Sequence, residues 1–386
     1  MQPHRAAALV QLERFLPHAA QAYAARRNHD LGQTSDNVSH LSPYLRHRML
    51  LETEVLQAML QKYSLEEAEK FIQEVCWRTY WKGWLALRPQ VWQDYLRALR
   101  GQQERLEHQR PFKKAYQEAV EARTGIACFD AWMSELVSTG YLHNHSRMWL
   151  ASIWIFTLKL PWELGADWFF RHLLDGDPAS NTLSWRWVAG LQTAGKHYVA
   201  TADNIQKFTK NKFFPKKELN ESPESLPFVP FPPIQPLQWA KSPTVQPSLL
   251  LLTEEDLHAE SWLLPSGLPV LGVVAVPCAD LRGEVSSVLQ DWQTQAQTEA
   301  LARAAAAYGV PSHFVPRHTL STLLGQVGAA QFVTTQPTVG PVKDWLDQQK
   351  LPMAYVCRDW DKAAYPHASK GFFQFKEKIP ALVAGW

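Results

Sequence analysis

The sequence predicts a mainly α-helical domain followed by a smaller α/β domain with a parallel, doubly wound sheet. Three observations carry this. Residues 1–212 space their apolar residues at three and four, with little strand-like alternation. Residues 215–247 hold nine prolines, and such a segment cannot continue a helix and tends to extended backbone. Beyond residue 248, short apolar runs of strand length alternate with helix-length segments. The expected divisions are a helical domain over 1–214, a linker over 215–247, and an α/β domain with a C-terminal tail over 248–386.

In the first part, LEEAEKFIQEVCWRTYWKGWL reads as an amphipathic helix. FKKAYQEAVEARTG reads as another, stopping at Gly125, and FDAWMSELVSTG as a third, stopping at Gly140. SRMWLASIWIFTLKL is apolar nearly all round and reads as a buried helix. In the second part, strands are expected over 248–253, 269–276, 312–316, 330–335 and 353–358. Helices are expected over 285–308, 318–327 and 339–349, with Pro341 in the first turn of the last. This is a Rossmann-like pattern. The pair Gly325 and Gly328 lies late in a helix and lacks the strand–turn–helix setting of a dinucleotide fingerprint.

The chain has 386 residues, 46% of them hydrophobic, enough for two packed parts. No run approaches the ~18–20 apolar residues of a membrane span, and the N-terminal apolar patch is broken by Arg5, Gln11 and Glu13. A soluble, cytoplasmic protein is expected. Cys76, Cys128, Cys278 and Cys357 are far apart and form no C-x-x-C, so buried thiols are expected, not a metal site or disulfide framework. Residues 1–217 carry 28 Lys/Arg against 21 Asp/Glu, and residues 218–386 carry 11 against 16; the basic first half hints at a polyanionic partner. Of 17 tryptophans, 11 lie between Trp77 and Trp187. They suit an aromatic core, a bound aromatic ligand, or electron hopping between indoles.

Four segments of the helical part carry candidate chemistry. In SHLSPYL, Ser39 and Ser42 precede a proline at a turn entering a helix, where amides and hydroxyls either cap the helix or bind phosphate. Glu74, Trp77 and Arg78 share a helix face, so a carboxylate beside an indole could read a flat base; a surface ion pair beside a core Trp is the plainer reading. In GYLHNHSRM, Asn144 and Arg147 are three apart, as are His145 and Met148. The letters HNH suggest a metal nuclease, but the other ligands are missing. In DGDPASNTLSWRW, Asp175 and Asp177 flank Gly176, followed by Asn181, Trp185 and Trp187; the regular oxygen ligands of a calcium loop are absent.

Taken in order, Ser-x-Leu-Ser-Pro, Glu-x-x-Trp-Arg, Gly-x-x-His-Asn-x-x-Arg-Met and Asp-Gly-Asp-x-x-x-Asn-x-x-x-Trp-x-Trp resemble the FAD-binding domain of the photolyase and cryptochrome family, over about residues 20–210. The resemblance implies FAD as cofactor, with the antenna chromophore unspecified. It implies that Ser39, Leu41 and Ser42, within the segment Val38-Ser39-His40-Leu41-Ser42, cradle the flavin diphosphate, with Tyr23 and Arg78 nearby. Asp175, Gly176 and Asp177 would line the flavin, Arg147 would pair with the first carboxylate, and Asn181 would face N5. Glu74, Trp77, Asn144 and Met148 would line the cavity for a flipped-out pyrimidine dimer. Trp185 and Trp162 match the inner members of the family's electron-transfer chain. The outer member aligns with Gln109, which leaves Trp84 and Trp92 as candidate substitutes.

Asn144 and Met148 stand where enzymes of (6-4) photoproducts carry histidines, so the pattern resembles the cyclobutane-dimer class. Asn181 resembles repair enzymes more than plant-type cryptochromes. Val38 replaces a usual hydroxyl residue, Thr182 follows Asn181 where a second Asn is typical, and VAGLQTAGKHYVATADN departs from the usual sequence. The order of parts also departs. LLLLTEEDLHAES resembles the first strand and turn of the antenna domain that usually comes first, so a circular permutation is expected. The implied activity is light-driven repair of DNA, a carbon–carbon lyase reaction, with damaged DNA as partner and Lys207, Lys210 and Lys212 near its phosphates. A cryptochrome-like blue-light photoreceptor without repair, a non-catalytic DNA-binding protein and a cofactor-free scaffold are the rivals.

Overall fold

The computed structural model describes residues 1–32, 35–193 and 195–384. The helices before the sheet are α1 Arg5–Phe15, α2 Gln21–Arg26, α3 Ser42–Arg46, α4 Glu52–Leu60, α5 Glu69–Ala86 and α6 Pro89–His108. They continue as α7 Arg110–Val120, α8 Ala127–Thr139, α9 Asn144–Ser152, α10 Trp162–His172, α11 Pro178–Val188 and α12 Ala202–Phe208. Residues 215–247 contain no helix or strand. No helix among the described residues is long and apolar enough to cross a membrane.

The chain forms two compact units, and neither is continuous in sequence. One comprises Met1–Ala20, Ser39–Leu87 and Ile234–Trp386; the other comprises Gln21–Val38 and Arg88–Pro233. This division cuts across the chain-order segments 1–214, 215–247 and 248–386.

A small parallel five-stranded sheet stands where the sequence predicts a Rossmann-like domain. Its strands are β1 Ser248–Leu252, β2 Val270–Ala275, β3 Ser312–Phe314, β4 Gln331–Thr335 and β5 Met353–Val356, in the order β3-β2-β1-β4-β5. The connecting helices are α13 Ser287–Tyr308, α14 Leu320–Val327 and α15 Pro341–Asp347. β1 is buried along its whole length, as befits a central parallel strand covered on both faces. Leu249, Leu251, Val274, Leu320, Phe332 and Val342 build the core on one face. Gly309 ends α13 in the left-handed region at φ 65°, a conformation that costs glycine little.

Three segments differ from expectation. α7 ends at Val120, before Gly125, and Ala122 takes the left-handed turn at φ 55°. The buried helix predicted over 146–160 is not one α-helix: Ile153–Thr157 is a π turn, and Ile153 to Phe156 are all buried. The tail is not a tail. Residues 359–382 form α16 Asp359–Ala364, a 3₁₀ turn Tyr365–Ser369, α17 Phe372–Lys376 and α18 Ile379–Leu382. This segment runs along α5. A Cβ on Gly83 would lie 2.9 Å from both Ala368 Cβ and Tyr365 Cα, so only glycine permits the approach. Trp360 Nε1 donates to Thr79 Oγ1 (3.0 Å) and Tyr80 Oη to the Lys370 carbonyl (2.8 Å).

Charges buried after β1 join the pieces of this unit. Arg46, with no exposed surface, donates to Glu254 Oε1 (3.2 Å) and Glu255 Oε1 (2.8 Å). Arg282 donates to Glu254 Oε2 (2.6 Å), which also accepts from Gln293 Nε2. Arg48 pairs with Asp361 (2.6 Å), and Arg358 donates to both oxygens of Asp256 (2.9 and 2.8 Å). Desolvation raises the Asp256 pKa, but Arg358 and Arg48 outweigh this and hold it below the ordinary carboxylate value. Removing one member leaves its partners charged and dry. Glu254→Gln is expected to cost about 3–5 kcal/mol of stability, measured by urea unfolding; a loss under about 1 kcal/mol would give the cluster no more weight than a surface ion pair.

Candidate functional site

In the unit formed by 21–38 and 88–233, α9, α10 and α11 position most of the candidate residues. Gly140 ends α8 at φ 67°, and a Cβ there would lie 2.7 Å from Leu174 Cγ. The chain then turns directly into α9. Arg147 on α9 donates through Nη1 and Nη2 to the two oxygens of Asp175, both at 2.9 Å, and through Nε to the Leu142 carbonyl (2.9 Å). Burial alone would lower the Arg147 pKa, but the charge and hydrogen bonds of Asp175 outweigh it and raise the value. Asp177 caps α11 by accepting from Ser180 N (2.8 Å), and Pro178 begins the helix. Asn181 is buried and donates its Nδ2 to the Ala166 carbonyl of α10 (2.8 Å), which fixes the amide's orientation. Tyr23 is buried on α2, and Val38 ends the same stretch of this unit.

Asn144 begins α9 and is exposed; its Nδ2 lies 4.0 Å from Met148 Sδ one turn on. His143 caps the helix: its Nδ1 accepts from His145 N (3.2 Å), and its Nε2 faces the Arg27 carbonyl at 3.1 Å. These bonds select the neutral Nε2–H tautomer. His145 stacks on Trp149 with ring centroids 4.6 Å apart and donates through Nδ1 to the Asn28 carbonyl (2.8 Å). Its ring also meets Phe208, at 5.1 Å. Beyond Phe208 the exposed Lys207, Lys210 and Lys212 surround a turn in which Lys210 and Asn211 are left-handed, at φ 50° and 62°.

The tryptophans of this unit are mostly core. Trp185 meets Trp154 (6.2 Å) and Phe169 (5.0 Å), whereas Trp162 meets Tyr95 (5.5 Å), which meets Trp92 (5.3 Å). Trp84, the other candidate substitute, is buried on α5 in the other unit. Gln109 lies between α6 and α7, where its side chain accepts from Arg105 (2.9 Å).

In the unit that contains the sheet, Ser39 Oγ accepts from Leu41 N (3.3 Å), and His40 is left-handed at φ 53°. Leu41, not a serine, is the N-cap of α3, and no side chain caps that helix. The reading of this segment as an ordinary serine cap is therefore corrected. Glu74, Trp77 and Arg78 lie on α5. Arg78 Nε is 3.8 Å from Glu52 Oε1. Phe372 of α17 lies face to face on Trp77, with centroids 3.6 Å apart and planes 10° apart. Phe372, Trp154 and Glu52 were not legible as site residues. Trp154 sits in a run apolar enough to read only as core, and Phe372 lies in a segment that carries no strand or long-helix signal.

Residues 71–221 match the family described as the FAD binding domain of DNA photolyase. Among curated proteins, the deoxyribodipyrimidine photo-lyase of Neurospora crassa is 30% identical over 239 residues, which cover 56% of this chain and 36% of that protein. That of Streptomyces griseus is 35% identical over 159 residues, covering 41% and 33%. A bacterial class III photolyase from Agrobacterium tumefaciens, solved as a crystal structure, superposes with a TM-score of 0.44 at 26% identity, covering 53% of this chain and 45% of that one. The chain is similar to the FAD-binding domain of the photolyase family over residues 71–221. It spans about a third of the length of the two curated relatives. FAD is the family cofactor of the matched segment, and the residues of α11 fit a polar ligand. Ser180 Oγ and Thr182 Oγ1 are buried without a hydrogen-bond partner among the described residues, and a protein seldom leaves such groups unmet unless something else satisfies them.

The cap on α9 is pH-sensitive. Burial pulls the His143 pKa down to about 4 from an ordinary 6.5, and protonating Nδ1 would also break its bond from the His145 N–H. A histidine with a lowered folded pKa stabilises the fold fully above its unfolded pKa and loses that contribution as pH falls toward the folded value. Between pH 6.5 and about 4, the urea midpoint of the wild type is expected to fall, and His143→Asn should fall less steeply over the same window. Identical slopes would remove His143 from the effect.

Proposed function

We propose that the protein is a light-driven flavoprotein that splits cyclobutane pyrimidine dimers in DNA. The observation that carries this reading is the Arg147–Asp175 pair. It is bidentate and half-buried, it joins α9 to the start of α11, and it lies within the segment matched to the FAD binding domain. Asn181, oriented by Ala166, lies on the same helix. Asp175, Gly176, Asp177, Asn181, Tyr23, Ser39, Leu41, Ser42 and Arg78 are the residues that would hold the flavin. Reduced FAD, when bound, supplies an electron on absorbing light.

The chain's own residues recognise and orient the lesion. Glu74 would hydrogen-bond the dimer and Trp77 would stack on it, with Asn144 and Met148 as further lining residues for the lesion. Extrusion from the duplex costs little, because a damaged base is already poorly stacked. Lys207, Lys210 and Lys212 meet phosphates, and reversing their charge should weaken binding and flatten its salt dependence. The order of parts is that of a circular permutation, with the sheet and the segment 359–384 following the helical segments they would otherwise precede.

A second reading is favoured by Phe372. A ring of the same chain already stacked on Trp77 suits a blue-light photoreceptor without repair. Purified in the dark and mixed with a thymine-dimer oligonucleotide and a reductant, the wild type should lose dimer only in the light, and Glu74→Ala should slow that loss. Flavin photoreduction without dimer loss would favour the photoreceptor. A colourless protein that refuses added FAD would sink both.

A further inference from the structure

Trp185 and Trp154 meet edge to face, with centroids 6.2 Å apart and planes at 85°. Both are buried. Gly165 makes the contact possible, since a Cβ there would lie 2.3 Å from Trp185 Cη2 and 3.0 Å from Trp154 Cε2. Trp154 meets Tyr116 of α7 edge to face in turn, at 5.9 Å and 88°. Tyr116 is only half-buried, so this run of rings leads from the interior to the surface. The run from Trp162 through Tyr95 to Trp92 stays inside: those three are 6%, 4% and 2% exposed.

Resting on the flavin reading above, we infer that the electron supplied through Trp185 is drawn through Trp154 from Tyr116, and not through Trp162. The charges around the rings set this direction. Trp185 Nε1 has no hydrogen-bond partner among the described residues, whereas Trp154 Nε1 donates to the Pro161 carbonyl (2.9 Å). A carbonyl on the indole N–H stabilises a radical cation, so the hole moves outward from Trp185 to Trp154. Trp162 carries the Arg186 guanidinium over its ring at 5.9 Å. Among the described residues Arg186 donates to the Leu191 carbonyl (3.4 Å) and has no carboxylate at ion-pair distance, the charges of Glu163 and Asp94 acting on it from farther off. A fixed cation at that place opposes a second positive charge on Trp162.

Tyr116 ends the run as a neutral radical. Burial raises the phenol's pKa, and Arg171 hydrogen-bonds its oxygen, so the resting phenol is protonated and faces a cation. Trp185 gives one electron to the photoexcited oxidised flavin. Trp154 refills Trp185, and Tyr116 refills Trp154, losing its phenolic proton to water at the surface. A solution thiol then returns one electron and one proton to Tyr116. The net change is one electron moved from thiol to flavin.

The test is transient absorption and electron paramagnetic resonance on the full chain loaded with FAD and given a blue pulse. The wild type should show a tyrosyl radical. In Tyr116→Phe the tyrosyl signal should vanish, a tryptophan radical should replace it and charge recombination should accelerate, with FAD content and thermal midpoint unchanged. Trp154→Phe should lose the long-lived charge separation. A tyrosyl signal that persists in Tyr116→Phe overturns the route. So does charge separation lost in Trp162→Phe but intact in Trp154→Phe and Tyr116→Phe, an outcome that leaves the flavin reading standing. A chain that binds no FAD overturns both.

Discussion

The sheet-containing unit depends on the acidic run that follows β1. Glu254, Glu255 and Asp256 are buried, and three carboxylates taken from water together are tolerable only if every one is paired. Their cations come from distant places: Arg46 from the end of α3 and Arg48 from the turn after it, Lys82 from α5, Arg282 from the segment after β2, and Arg358 from just past β5. The backbone adds Leu257 N to the His47 carbonyl (2.8 Å). No one of these segments can satisfy the cluster alone, so residues 39–87 and the sheet fold as one body although some 160 residues of chain separate them.

This is also why the division into units was not legible in the sequence. Composition changes at the proline-rich segment, and the strands after it announce themselves by run length and by glycines such as Gly309. Those are local signals. The pairing of Arg48 with Asp361, or of Arg46 with Glu254, joins residues more than 200 positions apart and leaves no periodicity. The helices of 359–382 were missed for a related reason: they are short, of four to six residues, and α5 supplies the surface that makes them stable. The left-handed Ala122 and the π turn at Ile153–Thr157 show tertiary packing overriding local preference.

The candidate site was legible where chemistry demands particular residue types at fixed spacing. The pairing of Arg147 with Asp175 was expected from the family resemblance, since no spacing joins residues 28 positions apart, and the role of Asp177 as the cap of α11 was not foreseen. Aromatic residues gave no such guidance. Trp154, Trp162 and Trp185 look alike in sequence, and what separates them is the hydrogen bond at one indole, the cation over another and the unmet donor of the third. The glycine that lets two of them touch, Gly165, is equally silent until a Cβ is placed on it.

The two readings of function part at the face of Trp77. Phe372 is nearly buried, and burying such a ring is worth about 1.5–3 kcal/mol, to which aromatic stacking adds about 0.5–1.5 kcal/mol. Stacking a base on an aromatic side chain returns about 1–3 kcal/mol. A lesion that needed the face now held by Phe372 would therefore gain no more than it displaced, and α17 is further tied down by Lys376 to Glu69 (2.6 Å). Repair is compatible with this contact if the dimer takes the opposite face of the indole, with Phe372 as a fixed backing that holds the ring's orientation. The sidedness of Trp77, more than any residue assigned to the flavin, thus decides between an enzyme and a receptor built on the same family architecture.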